Sequence, residues 1–197
     1  SDVAVLQNIG LININISGSI DVGGLIGWNN GGSITNCFTT GRVIGYWSTG
    51  GLVGDNRGTI ADCYSSAIVK GEENTGGLIG YNATYSSSNG VSTSFSTGSV
   101  YGSNYVGGFL GRNDDGSHSV NNCYSRGNVT RTSGTSESLG GFLGDHSAGS
   151  IEKCYSTGWV KNSDGVIIEN KGFIGSNPGN LVEDSFWDIQ TSETNVS

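Results

Sequence analysis

The cysteine thiols recur at a regular spacing, and they could act either as metal ligands or as disulfide partners. Cys37, Cys63, Cys123 and Cys154 share one position of a recurring pattern, which Ser94 and Ser185 occupy in two further copies. A zinc site needs clustered ligands such as Cys-x2-Cys, and the chain has no such spacing. The serine substitutes favour a row of small, weakly polar side chains stacked along the fold. Disulfides between neighbouring copies remain the alternative, because stacked coils bring their Cα atoms close enough.

Histidine and carboxylate chemistry is the second candidate. His118 and His146 follow equivalent parts of successive copies and lie near Asp114, Asp115 and Asp145 in the sequence. Such a group could hold a metal ion, but solvated loop side chains are the interpretation we favour. The sequence therefore predicts no metal site and no cofactor.

Carbohydrate-cleaving enzymes provide the catalytic alternative, because parallel β-solenoids include polysaccharide lyases and hydrolases. Such sites need carboxylates and a Lys or Arg base clustered on one face. Acidic residues instead fall in scattered corner positions, namely Asp55, Asp62, Asp145 and Asp184. The chain also lacks His-Glu-x-x-His and Gly-x-Ser-x-Gly, so we predict no catalytic residues.

The elements that position these residues are copies of one unit. Gly23-Gly24-Leu25-Ile26-Gly27 opens the series, and related segments begin near residues 23, 50, 76, 107, 140 and 171, at spacings of 27, 26, 31, 33 and 31 residues. A strand through the cysteine position and a short strand around a valine follow each copy. Three short strands in about 26 residues predict an all-β, right-handed parallel β-solenoid (β-helix) of about six coils. We expect a partial first coil at 1–22, repeats at 23–188 and a polar tail at 189–197.

Alternation along these strands raises the question of which side chains face inward. Each Gly-Gly segment has two adjacent apolar residues, such as Leu52 and Val53, so the copies together form two apolar columns. Neighbouring residues of a strand point to opposite faces, so we expect one column to face the core and the other to be covered by a loop, another strand or another molecule. An aromatic side chain follows each cysteine position, and we expect this row to be buried because rings carry a large apolar area. An exposed aromatic row is the alternative. The row consists of Phe38, Tyr64, Phe95, Tyr124, Tyr155 and Phe186.

Composition excludes several classes of protein. The chain has 35 glycines, one proline and a net charge of -8, which is typical of strands and tight turns and argues against nucleic-acid binding. It contains no apolar run long enough to span a membrane and no signal peptide. Methionine is absent, which leads us to expect a processed or excised chain.

Length variation is confined to two corners of the repeat, where recognition residues are expected. Candidate recognition residues in these loops are Tyr81, Tyr85, Asp114 and Asp115. Asn-x-Ser/Thr sequons allow glycosylation and occur at Asn15, Asn82, Asn128 and Asn195. Rows of hydroxyl side chains, such as Thr39 and Ser65, also raise an ice- or surface-binding array as a less favoured hypothesis.

The Gly-Leu-apolar-Gly core followed by Asn-Cys-Tyr-Ser resembles the GLUG motif over nearly the whole chain. The resemblance is specific, because both signatures recur together in register. Such repeats occur in secreted or cell-surface proteins of bacteria and archaea, often adhesin-like, and outside the catalytic part of some IgA-cleaving metallopeptidases. The resemblance thus implies an extracellular β-rich module and brings no catalytic residues.

Together these observations predict a non-enzymatic, extracellular or cell-surface structural and adhesive module. Its expected partners are further copies of itself, through end-to-end or lateral assembly into a filament, and glycans or a host surface. A carbohydrate-binding or polysaccharide-degrading protein is the alternative function.

Overall fold

A computed structural model describes residues 4–83, 90–134 and 138–188, with the backbone alone at residues 115, 117 and 118. Within those ranges every regular element is a β-strand. The strands, in chain order, are β1 (Val5–Gln7), β2 (Gly10–Ser17), β3 (Ile20–Gly23), β4 (Ile26–Asn29), β5 (Ser33–Thr35), β6 (Phe38–Ile44), β7 (Trp47–Gly50), β8 (Val53–Asn56), β9 (Thr59–Ala61), β10 (Tyr64–Ser65), β11 (Ile68–Lys70), β12 (Glu73–Gly76), β13 (Ile79–Ala83), β14 (Gly90–Ser92), β15 (Phe95–Ser96), β16 (Val100–Gly102), β17 (Asn104–Gly107), β18 (Leu110–Asn121), β19 (Tyr124–Ser125), β20 (Val129–Arg131), β21 (Leu139–Gly140), β22 (Leu143–Glu152), β23 (Tyr155–Ser156), β24 (Val160–Lys161), β25 (Ile174–Ser176), β26 (Leu181–Glu183) and β27 (Phe186–Trp187).

Three parallel sheets form the faces of a β-solenoid. The first has 11 strands: β1, β4, β5, β8, β9, β13, β14, β18, β22, β25 and β26. The second has 11: β2, β6, β10, β11, β15, β16, β19, β20, β23, β24 and β27. The third has 5: β3, β7, β12, β17 and β21. The predicted parallel solenoid is thereby confirmed.

Equivalent positions of successive copies stack directly on one another. Gly50 lies opposite Gly76, and Gly76 lies opposite Gly107. The partial first coil joins the same stack, since β1, β2 and β3 pair in parallel with β5, β6 and β7. Register is held because a shift of one residue would turn each inward side chain outward.

Each coil contains more strands than the three that were predicted. The coil from Trp47 to Lys70 contains β7 to β11. One break recurs directly before the cysteine position, where left-handed backbone separates two strands, as at Asp62 with φ 54° and Asn122 with φ 52°. Asparagine and aspartate adopt this conformation more readily than other non-glycine residues, so a single long strand was the wrong interpretation of this stretch.

Both apolar columns of the Gly-Gly segments lie in the core in most coils, which corrects the expectation that only one would. Leu52 and Val53 are fully buried in the same cluster. The chain bends at Gly51-Leu52, and the N–H groups of Leu52 and Val53 both donate to the carbonyl of Leu78, at 2.9 and 3.1 Å. Strand alternation does not apply across this bend, so neighbouring side chains both point inward.

The Gly-Gly pair is required by close backbone approach at this bend. A Cβ atom on Gly51 would overlap the carbonyl oxygen of Gly77, and one on Gly50 would overlap the carbonyl oxygen of Val53. Because those atoms belong to the backbone, no side-chain movement relieves the overlap. The repeated glycines thus allow the first and third sheets to meet at a tight corner.

The aromatic row lies on the outer face of the second sheet, so the expectation of burial was wrong. Its rings stack with centroids 4.7 to 5.6 Å apart and are half-buried, except Phe186, which is 61% exposed. The adjacent positions point inward, as Cys63 and Ser65 do on either side of Tyr64. Strand alternation then places Tyr64 outside, and stacking covers the ring faces.

The first coil contains an irregular strand. Ile12 is 67% exposed, whereas Ile14 and Ile16 of the same strand pack against the core. A bulge with left-handed backbone at Asn13 interrupts the alternation between Leu11 and Ile14.

Candidate functional site

An outer stripe of charged and aromatic side chains runs along the first sheet. Five of its members directly follow the third glycine of a Gly-Gly segment, and they point outward because the next residue points into the core. These are Trp28, Asp55, Tyr81, Arg112 and Asp145, of which Asp55 and Asp145 are buried. We define the outer stripe as these five together with three residues in contact with them, namely Arg57, Asp114 and, from the third sheet, Tyr105.

Arg112 lies at the centre of the outer stripe. Its Nη2 is 3.5 Å from Asp114 Oδ2, and its Nε is 3.5 Å from Asp145 Oδ2. The guanidinium carbon is 5.9 Å from the Tyr81 ring centroid and 5.3 Å from that of Tyr105. The Tyr81 hydroxyl donates to Asp114 Oδ2 at 3.0 Å. Burial, with smaller contributions from Asp114, raises the Tyr81 pKa, so the hydroxyl remains a donor at neutral pH.

A second arginine lies nearer the N-terminal end of the outer stripe. Arg57 donates to both carboxylate oxygens of Asp55, at 3.3 and 2.9 Å, and its guanidinium carbon is 5.4 Å from the Trp28 ring centroid. Burial, reinforced by the Asp55 charge, raises the pKa of nearby Asp21. Trp28 is 49% exposed. Together these groups offer a surface suited to polar ligands with one apolar face, such as sugars.

The predicted recognition residues are partly brought together. Tyr81 and Asp114 are in direct contact, whereas Tyr85 and the Asp115 side chain lie outside the described part of the chain. Asp55 and Asp145 share this face, contrary to the scattered arrangement inferred from the sequence, while Asp62 and Asp184 occupy the left-handed corner.

The cysteines form an interior row of free, buried thiols. We call Cys37, Cys63, Ser94, Cys123, Cys154 and Ser185 the cysteine row. Each side chain donates to the carbonyl oxygen two residues earlier, as Cys63 does to Ala61 at 3.1 Å and Ser94 to Ser92 at 2.7 Å. Burial raises the pKa of Cys63 to about 11 and also raises that of Cys123, so both thiols remain protonated at neutral pH.

A second interior polar row is an arrangement that sequence reasoning missed. We call Asn29, Asn56, Asn82, Asn113 and His146 the asparagine row. The side-chain amides donate from coil to coil: Asn29 to Asn56 at 2.8 Å, Asn56 to Asn82 at 2.8 Å, and Asn82 to Asn113 at 2.7 Å. The signal was present, because an asparagine stands two residues after the third glycine in most copies.

His146 ends the asparagine row. It is fully buried, its Nε2 lies 3.4 Å from the carbonyl oxygen of Leu181, and its Nδ1 has no hydrogen-bond partner among the described residues. Burial lowers the His146 pKa despite the nearby Asp145 charge, so the imidazole is neutral at physiological pH. The other histidine, His118, has no described side chain.

The sequons differ in accessibility. Asn15 is exposed, whereas the Asn128 amide oxygen accepts from the Trp159 N–H at 3.2 Å. Asn82 is 3% exposed and belongs to the asparagine row, so a glycan there is incompatible with the folded coil. Asn195 lies outside the described residues.

Neither a metal-ligand cluster nor a membrane-spanning helix is present within the described ranges. No group of three or more His, Cys, Asp and Glu side chains there could hold a metal ion. No described segment forms a helix with the length and hydrophobicity of a membrane span.

The fold and its interior rows define a parallel β-solenoid repeat protein. The GLUG motif model matches residues 18–44, which confirms the resemblance found in the sequence; these residues are a GLUG motif. The match spans β3 to β6, the whole of one coil.

A solved structure has a similar fold. It is the crystal structure of a Bacteroides ovatus protein proposed to be an immunoglobulin A1 protease, with a TM-score of 0.71 and 25% sequence identity. The alignment covers 93% of this chain and 61% of that one, so this chain spans less than two thirds of its length. No curated protein sequence matches the chain.

Proposed function

We propose that this chain is a non-enzymatic structural and adhesive module of an extracellular or cell-surface protein. The observation that carries the proposal is the direct stacking of equivalent residues through successive coils, both inside and on the outer faces. Such an array behaves as a stiff rod, because every coil is bonded to its neighbours along its length. It also presents rows of like side chains at about 4.8 Å intervals, which suits multivalent contact with a repetitive surface.

In this proposal the outer stripe makes the adhesive contact. Its tyrosine, tryptophan, arginine and carboxylate side chains provide stacking faces and hydrogen-bonding groups of the kinds that bind glycans. A glycan array probed with the full chain tests this role. We expect binding that Tyr81→Ala reduces, whereas Tyr46→Ala, which removes an exposed tyrosine elsewhere, leaves it unchanged. Equal binding by both variants would contradict a role for the outer stripe.

Assembly into filaments is the second part of the proposal. Within the described residues, β27 pairs only with β23, and β1 pairs only with β5, so both offer an unpaired edge. An unpaired parallel strand can template another copy. Electron microscopy and sedimentation over a concentration series should show filaments that lengthen with concentration, and a monodisperse monomer throughout would count against assembly.

Enzymatic activity is the rival function, raised by the description of the Bacteroides ovatus protein. Incubating the chain with immunoglobulin A1 and with a panel of polysaccharides would detect it, as peptide cleavage or as new reducing or unsaturated ends. We expect neither product, and either one would overturn the non-enzymatic assignment.

A further inference from the structure

A groove of about 340 Å³ lies on the outer face of the second sheet, apart from the outer stripe. Arg42, Ile68, Lys70, Tyr101 and Thr132 line it. The strand register places Arg42 beside Ile68 and Lys70 beside Tyr101, so the groove extends across successive coils. It therefore runs along the solenoid axis.

Two cations in this groove differ from the others of the chain. Arg42 and Lys70 are exposed, and within the described ranges neither side chain has a hydrogen bond, an ion pair or a ring contact. The other cations are engaged: Arg57, Arg112 and Lys153 pair with carboxylates, Arg126 and Lys161 lie over aromatic rings, Lys171 donates to a carbonyl, and Arg131 has a partner.

The neighbouring acid, Glu72, borders the groove without pairing with its cations. Glu72, two residues after Lys70, accepts a hydrogen bond from the Ser103 hydroxyl at 2.5 Å and makes no ion pair with Lys70. Ser103 also lies 2.9 Å from the Thr132 hydroxyl, so this carboxylate is held at the border of the groove. The two unpaired cations outnumber this bordering carboxylate, so the groove has a local preference for anions in a chain of net charge -8.

We propose that the groove binds a segment of acidic polysaccharide aligned with the solenoid axis. Carboxylate or sulfate groups of the glycan contact Arg42 and Lys70, and the apolar face of a sugar ring lies on Tyr101 and Ile68. The inference rests on the proposed adhesive function and names the class of glycan for a second surface.

Geometry favours a polysaccharide over an acidic peptide. The coil repeat of about 4.8 Å is close to the length of one sugar residue in an extended chain, so successive sugars can meet successive coils. The groove lies on a sheet face whose backbone groups are already paired in the ladders. A peptide therefore finds no strand edge to extend, whereas a glycan needs only side-chain contacts.

Matched probes test the anion requirement on the full chain. Isothermal titration would compare an oligogalacturonate, its fully methyl-esterified form and a chondroitin sulfate oligosaccharide, with oligoglutamate as the peptide probe. We expect the free acid or the sulfated glycan to bind about tenfold or more tightly than the ester, with affinity falling as salt rises.

Charge-matched variants locate the site. The double variant Arg42→Gln/Lys70→Gln should weaken binding of the acidic glycan by about tenfold or more, because charge-assisted hydrogen bonds are lost. Arg126→Gln/Lys153→Gln removes the same charge elsewhere and should stay within about twofold of the unmodified chain. Tyr101→Ala, which keeps both cations, should also weaken binding. Circular dichroism would show that each variant is folded.

Several results would overturn the inference. These are equal binding of acid and ester, equal loss in both double variants, tighter binding of oligoglutamate than of any glycan, and no binding of either acidic glycan. If the chain still binds neutral glycans through the outer stripe, the acidic-glycan site fails while the adhesive proposal stands.

Discussion

The two interior polar rows occupy similar depths in the solenoid but are bonded in different ways. In the asparagine row, side chains hydrogen-bond to side chains of the next coil, as Asn56 does to Asn82 at 2.8 Å. In the cysteine row, each side chain donates to a carbonyl of its own coil, as Cys123 does to Asn121 at 3.1 Å, and several accept from a backbone N–H of the preceding coil, as Ser94 does from Cys63 at 3.1 Å. The asparagine row therefore connects coils by bonds between side chains, and the cysteine row connects them by bonds between side chain and backbone.

The difference explains which substitutions the repeats contain. Serine replaces cysteine at positions 94 and 185 and makes the same bond to the carbonyl two residues earlier. Asparagine persists from Asn29 to Asn113, because the middle amides of Asn56 and Asn82 each act as both donor and acceptor for their row neighbours. His146 replaces it only at the end of the row, where the ring meets a backbone carbonyl.

Removing a middle member of the asparagine row should have the largest effect. Asn82→Ala leaves one of the two amide N–H groups of Asn56 without an acceptor and the amide oxygen of Asn113 without its donor from Asn82, both in the buried interior. We expect the free energy of unfolding to fall by about 2–5 kcal/mol. Urea unfolding followed by circular dichroism would measure it.

Asn177→Ala provides the control, because Asn177 occupies the same position of the repeat but is exposed and bonds within its own turn. Its loss should lower the free energy of unfolding by less than about 1 kcal/mol. Similar losses for the two variants would show that the coil-to-coil amide bonds do not distinguish the asparagine row.

The end of the asparagine row should make stability depend on pH. Because burial lowers the His146 pKa, the unfolded chain binds a proton that the folded chain excludes once pH falls below the unfolded value of 6.5. Stability should therefore fall from pH 6.5 towards the lowered folded pKa, by up to about 1.4 kcal/mol per pH unit from this group. Unfolding of the unmodified chain and of His146→Asn between pH 7.5 and 5 would measure the difference.

The carboxylates titrate in both proteins, so only the difference between the two pH profiles reports on His146. Above pH 6.5 the difference in unfolding free energy should be constant. Parallel profiles down to pH 5 would mean that His146 accepts its proton in the folded chain.

These rows also show what could be predicted from the sequence. The repeat spacing was sufficient for the parallel solenoid, and the serine substitutes were sufficient for a row of small, weakly polar side chains stacked along the fold. The bend at Leu52 could not be predicted, because the expected alternation of inward and outward side chains assumes a continuous strand. The direction of Tyr64 was ambiguous, because apolar area favours burial while the inward cysteine beside it requires exposure. The asparagine row had a regular spacing in the sequence. Asparagine is also common in turns, so the spacing alone did not indicate buried side chains bonded from coil to coil.

The smallest effect should come from the cysteine row. Cys123→Ser keeps a donor to the Asn121 carbonyl and places at position 123 the residue already found at 94 and 185, so we expect a change below about 1 kcal/mol in the free energy of unfolding. Cys123→Ala keeps neither the donor nor the full volume, and its loss should be larger, because a small cavity remains and the Asn121 carbonyl keeps only its bond from the Thr93 N–H. Urea unfolding of both variants measures the contrast. If serine were as damaging as alanine, thiol packing would stabilise the row more than its hydrogen bonds to the backbone do, and the contrast drawn between the two rows would lose its support.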